Sequence, residues 1–193
     1  MIHPSAVIDP AARIGRDVVI GPCTVVEGPV VVGDGCRIGA QVHLTGDTVL
    51  GAGCIIHPFC AIGGVPQDFS WREWTVSGVT VGAGGEFREG ATVHRSTRAG
   101  GWTLVGDHVY VMTGGHIAHD CVIGDRVVMA NCTHLGGFTE VEAGAVLSGN
   151  ISVHQRVRIG GCSMTAASSY LNQDLPPFCM AVGVPAAVVG LNT

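Results

Sequence analysis

Nine histidines stand in this chain of 193 residues, and His94, His108, His116, His119, His134 and His154 gather in its second half. His116 and His134 are 18 residues apart, and His119 has Asp120 as its immediate neighbour. An imidazole that titrates near neutrality can take a proton from a hydroxyl while a carboxylate fixes its tautomer. Three histidines with one open position for water could instead bind zinc. Spacing alone leaves both chemistries open.

What must hold these side chains is visible in a strict period of six. Ile2, Ile8, Ile14, Ile20, Val26, Val32, Ile38, Leu44, Leu50, Ile56 and Ile62 form one aliphatic register. A second, shifted by one, runs Val81, Phe87, Val93, Ala99, Val105, Val111, Ile117, Ile123, Met129, Leu135, Val141, Leu147, Val153 and Ile159. A helix repeats near 3.6 and a plain strand at 2, so neither explains a period of 6. Each hexapeptide reads as a short strand with its aliphatic residue pointing inward, followed by a tight corner with a small inward residue, as at Cys36, Cys54, Cys60, Cys121 and Thr133. Three such strands close a coil of about 18 residues, and coils stack at the ~4.8 Å spacing of paired strands. His116 and His134 then occupy equivalent sites on successive coils.

Two interruptions place loops on the coil stack, over about 64–79 with Trp71 and Trp74, and over 96–103 with Arg98 and Trp102. Exposed Trp is costly unless it packs on a ligand or a neighbouring subunit. The expected organisation is one solenoid domain over 1–169 and an extended tail over 170–193.

Thirty glycines, few aromatics and a positive mean hydropathy agree with short strands and tight turns. With only 13% charged residues, a thin prism of this kind is expected to bury a flat face against other subunits. A net charge of −5 and no basic stripe argue against nucleic acid as a partner. No uninterrupted apolar run of about 18 residues and no leader pattern are found, so a cytoplasmic location is expected. Four of the eight cysteines, Cys36, Cys54, Cys60 and Cys121, fall at the small inward sites and read as free buried thiols.

His116-Ile117-Ala118-His119-Asp120-Cys121, with Gly136-Gly137, Val153-His154-Gln155 and Gln173-Asp174-Leu175-Pro176-Pro177, resembles the UDP-N-acetylglucosamine 3-O-acyltransferases of lipid A biosynthesis. The likeness extends over nearly the whole chain, including Gln67-Asp68 and Thr92-Val93-His94-Arg95. It implies an all-β fold, the left-handed parallel β-helix of the hexapeptide-repeat acyltransferases, assembled as a homotrimer. The left hand is part of that implication, because crossovers in ordinary parallel sheets favour the right.

The resemblance further implies transfer of an acyl chain from acyl carrier protein to the 3-position of a UDP-linked amino sugar, without metal, cofactor or covalent enzyme intermediate. His119 would be the general base, Asp120 its orienting partner and Gly137 the oxyanion N–H donor. Gln67, Asp68, His116, His134, His154 and Gln155 would line the substrate groove, and Ala167 would cap it where a glycine is usual, shortening the accepted acyl chain. Phe138 stands where the family has a further histidine, and Ser70 where it has a lysine. The family also continues beyond the segment matching Gly190-Leu191-Asn192 into a helical domain with basic residues for the nucleotide. Alternatives are an acetyl-CoA-dependent sugar acetyltransferase, a zinc hydratase of the carbonic anhydrase type, and a non-catalytic trimeric scaffold.

Overall fold

The computed structural model describes all residues from 1 to 193. Its 27 strands are mostly two residues long, which is what a turn every six residues permits. They fall into three sheets of nine, eight and ten strands, parallel and each taking every third strand in sequence, except that the ten-stranded sheet ends with the last two strands of the chain, the final one antiparallel. The chain thus winds as a three-sided, left-handed parallel β-helix. Register between coils is a plain 18-residue step: Val7 pairs with Val25, Val25 with His43, and His116 with His134.

In the two-residue strands the first residue faces outward and the second inward. The inward set makes one continuous core, with Ile20, Ile38, Ile56, Phe87, Val111, Met129 and Leu147 stacked behind the ten-stranded sheet. Corners take the small residues, because three converging backbones leave little room there. Cys36, Cys54, Cys60 and Cys121 are buried at such corners, and their thiols donate to the carbonyls of Gly51, Gly82, Arg88 and Gly136. All eight cysteines are free thiols.

Both interruptions are real, and their lengths differ in an instructive way. Leu50 pairs with Val81, 31 positions on, so the first loop adds 13 residues to a coil and shifts the hexapeptide frame. Val81 pairs with Val105, 24 positions on, so the second loop adds six. An insertion of one whole period leaves the frame intact, which is why Ala99 fits the aliphatic register although it is exposed at the loop tip. The larger loop starts at Gly63, whose φ is +86°; a Cβ there would lie 1.9 Å from the Thr45 carbonyl oxygen. Only glycine fits that exit.

The expected tail over 170–193 needs correction. Tyr170–Leu171 pairs in parallel with Ser152–Val153, and Leu175 bridges Ile159. Cys179–Gly183 then lies parallel to Met164–Thr165, and Ala186–Leu191 turns back antiparallel upon it. The apolar residues Leu171, Leu175, Cys179 and Ala181 are buried here. Inward side chains, rather than the hexapeptide spacing, keep this segment on the stack, and the final hairpin closes the last coil. No helix is long and apolar enough to cross a membrane.

Candidate active site

His116–Ile117 belongs to the nine-stranded sheet and Val122–Ile123 to the eight-stranded one, so residues 118–121 form the corner between them. His119 lies on this corner with its side chain 7% exposed, and Asp120 follows in the left-handed backbone region at φ 61°. His119 Nδ1 lies 2.9 Å from Asp120 Oδ2. An ionised carboxylate only accepts, so Nδ1 carries the proton and Nε2 presents a lone pair. Nε2 faces the cleft, with Asp68 Oδ2 at 3.6 Å.

Asp120 is itself tightly held. Ser96 Oγ donates to Oδ1, and the Thr97 N–H and hydroxyl donate to Oδ2 at 3.0 and 2.8 Å. Burial opposes its ionisation, but the hydrogen bonds from Ser96, Thr97 and His119 outweigh burial and keep the carboxyl below its usual range. Ser96 is fully buried, and its carbonyl accepts from Ser77 Oγ at 2.6 Å. The base of the longer loop and the Asp120 carboxylate are therefore tied to one residue. Nothing in the sequence marks Ser96 or Thr97 for this role except their place at the start of the second interruption.

Gly137 lies one coil above His119, at the equivalent corner position. On another corner, between the eight- and ten-stranded sheets, an aspartate at the same hexapeptide position accepts the N–H of the coil below: Asp34 takes Arg16, Asp107 takes Ala83 and Asp125 takes Asp107. No such capping occurs above Gly137, where the next coil carries Gln155, and the Gly137 N–H donates to nothing in the chain. The glycine is also needed for space, since a Cβ there would be 2.4 Å from His119 Cε1. The corner thus offers a proton acceptor and a free N–H donor side by side.

Seven of the expected site residues line one cleft of about 390 Å³: Gln67, Asp68, His116, His119, His134, Gly137 and Gln155. Hydrogen bonds from the Ser70 side chain and N–H hold the Asp68 carboxyl below its usual range. Asp120 stands just behind His119, as an orienting group should. His154 does not line this cleft; it is exposed, with Nδ1 3.1 Å from the Gln155 carbonyl oxygen. Ala167 is exposed on a different corner, between the ten- and nine-stranded sheets, because its strand precedes rather than follows the histidine face. Of the loop tryptophans, Trp71 packs beneath the Arg95 guanidinium at 5.6 Å, while Trp74 is largely exposed.

The remaining histidines form a column on the nine-stranded face. His94 and His116 meet edge to face at 4.7 Å, and His134 lies 6.5 Å beyond His116. His116 Nδ1 is 2.8 Å from Thr92 Oγ1. The rings pass one another rather than converging, and no group of three His, Cys, Asp or Glu side chains is arranged to hold an ion.

A hexapeptide-repeat β-helix with a His–carboxylate pair facing a cleft defines the class of hexapeptide transferases, and the family model "Bacterial transferase hexapeptide (six repeats)" matches residues 29–64. The chain is 47% identical over 192 residues to the acyl-(acyl-carrier-protein)–UDP-N-acetylglucosamine O-acyltransferase of Thiobacillus denitrificans, covering 99% of this chain and 74% of that one. Identity to the Campylobacter concisus enzyme of the same name is 37%, over 99% and 73%. The UDP-N-acetylglucosamine acyltransferase structure from Francisella novicida superimposes with a TM-score of 0.97 at 31% identity, over all of this chain and 71% of that one. The chain belongs to the UDP-N-acetylglucosamine O-acyltransferase family.

The histidine column makes stability depend on pH. Burial first, then repulsion from His94, His134 and His119, pushes His116 down to about 4, and burial with repulsion from His119 also lowers His94. An unfolded histidine titrates near ~6.5. As pH falls from there toward 4, the unfolded chain takes up protons that the folded chain refuses, so stability is lost over that window and is unaffected by these groups above it. Urea unfolding of His116→Gln between pH 4 and 7 is expected to show a shallower decline than the wild type. An unchanged slope would assign the pH dependence elsewhere.

Proposed function

We propose that this protein transfers an acyl chain from acyl carrier protein to the 3-hydroxyl of UDP-N-acetylglucosamine, the reaction that opens lipid A biosynthesis. The observation that carries this reading is the juxtaposition of His119 Nε2, open to the cleft, with the uncapped N–H of Gly137 on the next coil. His119 takes the proton of the sugar hydroxyl as its oxygen attacks the thioester carbonyl. The Gly137 N–H stabilises the oxyanion that forms, a contribution that such a donor makes mainly in the transition state. Collapse breaks the C–S bond, the thiolate recovers the proton from His119, and the ester leaves. Asp120 keeps the imidazole in the required tautomer and stabilises its transient charge.

Gln67, Asp68, His116, His134 and Gln155 supply polar contacts to the sugar within the cleft. His154 and Ala167, outside the cleft of a single chain, join the site where the acyl chain or a neighbouring subunit extends along the stack.

A homotrimer fits the outward faces. Tyr110, Val128, Val146 and Met164 form an apolar column on the ten-stranded sheet, and Leu104 and Val122 form another on the eight-stranded sheet. A prism with two different apolar faces suits a ring in which each subunit offers one face to each neighbour. A cytoplasmic location goes with this reading, in which donor and acceptor are both water-soluble. Sedimentation equilibrium is expected at three times the 19.8 kDa chain mass; a monomer would remove the trimer from this account.

The catalytic reading is tested by incubating the protein with acyl carrier protein thioesters of several chain lengths, or acetyl-CoA, and UDP-N-acetylglucosamine, with product read by mass spectrometry. Acylated nucleotide sugar from the carrier-protein donors is expected, with a loss of about 10²–10⁴-fold in rate for His119→Ala. Product from acetyl-CoA alone would indicate a sugar acetyltransferase. No product from any donor would leave a scaffold.

A further inference from the structure

A second cleft, of about 420 Å³, opens on the other side of the His119–Asp120 corner, at the edge of the eight-stranded face proposed above to meet a neighbouring subunit; its lining includes Arg98, Trp102, Asp120, Val122, Phe138, Glu140 and Arg156. Its two arginines come from distant places. Arg98 sits on the second loop, and Arg156 on a corner one coil above Phe138, with its N–H on the Gly137 carbonyl at 3.0 Å. Both guanidinium groups lie over the Phe138 ring, at 4.9 and 4.2 Å. Phe138 in turn stands edge-on to His119, with ring centroids 5.2 Å apart. One aromatic ring therefore links the catalytic imidazole to two cations.

The charges around the cleft leave those cations available. Glu140 is taken by Arg158 at 2.7 Å. Asp120 is saturated by Ser96, Thr97 and His119, and Arg98 approaches it only through Nε at 3.6 Å. Arg156 has no carboxylate partner. A guanidinium stacked on an aromatic face keeps its N–H edge free and pre-oriented, the arrangement that suits bidentate recognition of phosphate oxygens. Two such groups in one cleft would repel without an anion between or beside them.

We propose that Arg98, Arg156 and Phe138 form a phosphate-binding subsite beside the catalytic corner. The inference rests on the acyl-transfer reading, which supplies two phosphate-bearing substrates: the nucleotide sugar, with its diphosphate, and the phosphopantetheine arm that presents the thioester. The cations that the second interruption and the Phe138 corner bring together answer the need for positive charge near a diphosphate. Phe138 acts here as the platform that aligns them.

The test is calorimetric titration with UDP and, separately, with 4′-phosphopantetheine, on the wild type, on Arg98→Gln/Arg156→Gln and on Arg13→Gln, an exposed arginine on a distant strand. Binding does not require turnover, so the subsite and the acyl-transfer reading can fail independently. Loss of at least tenfold in affinity for one ligand in the double variant, with Arg13→Gln unchanged, is expected, and the ligand affected identifies the source of the phosphate. Affinity within twofold of wild type for both ligands, or no binding of either by the wild type, overturns the subsite. Arg-dependent binding in a protein that transfers no acyl group would retain the subsite and sink the catalytic proposal.

Discussion

The 18-residue step between stacked coils is the constraint on which everything else in this molecule depends. It fixes each outward side chain about one strand spacing, ~4.8 Å, from its equivalent on the next coil. His116 therefore meets His134, the corner at His119 meets the corner at Gly137, and that corner meets Gln155. No loop has to fold correctly to bring the imidazole and the N–H together. The backbone ladder does so, and its hydrogen bonds run through every coil.

A rigid stack also explains why exceptions matter. Three corners between the eight- and ten-stranded sheets close an N–H on an aspartate of the next coil, while the Gly137 corner, beneath Gln155, carries no such cap. Burying His119 beside a carboxylate is stable only because Ser96 and Thr97 neutralise the cost of taking Asp120 out of water. The histidine column shows the opposite choice. His116 stays neutral because burial and three neighbouring imidazoles all disfavour its charge. Within the cluster of His94, His116, His119 and His134, only His119 is paired with a carboxylate.

Much of this was legible in the sequence, because a period of six survives in the residues that point inward. The coil length, the corner cysteines and the alignment of His116 with His134 all follow from it. Ala99 fits the register without pointing inward, because an insertion of one full period is silent to periodicity. The segment after 170 departs from the spacing of six, so its pattern hides that Leu171, Leu175 and Ala181 still turn inward. Ser96, Thr97 and the Arg98–Phe138–Arg156 cluster could not be read at all. Their contacts join residues 18 to 40 positions apart through side-chain directions that no repeat encodes.

The central claim is that coil register, through the missing side chain at Gly137, sets the His119 ring against a free N–H. The most direct measurement is kcat for Gly137→Ala with its unfolding temperature beside it. Gly137 has no positive φ to forbid alanine, and the backbone N–H is retained, so only the space for the ring changes. The account predicts a protein that unfolds within a few degrees of wild type and turns over about 100-fold more slowly, the scale expected when a reacting group is displaced by about 1 Å. A variant of equal stability with near-wild-type kcat would contradict it.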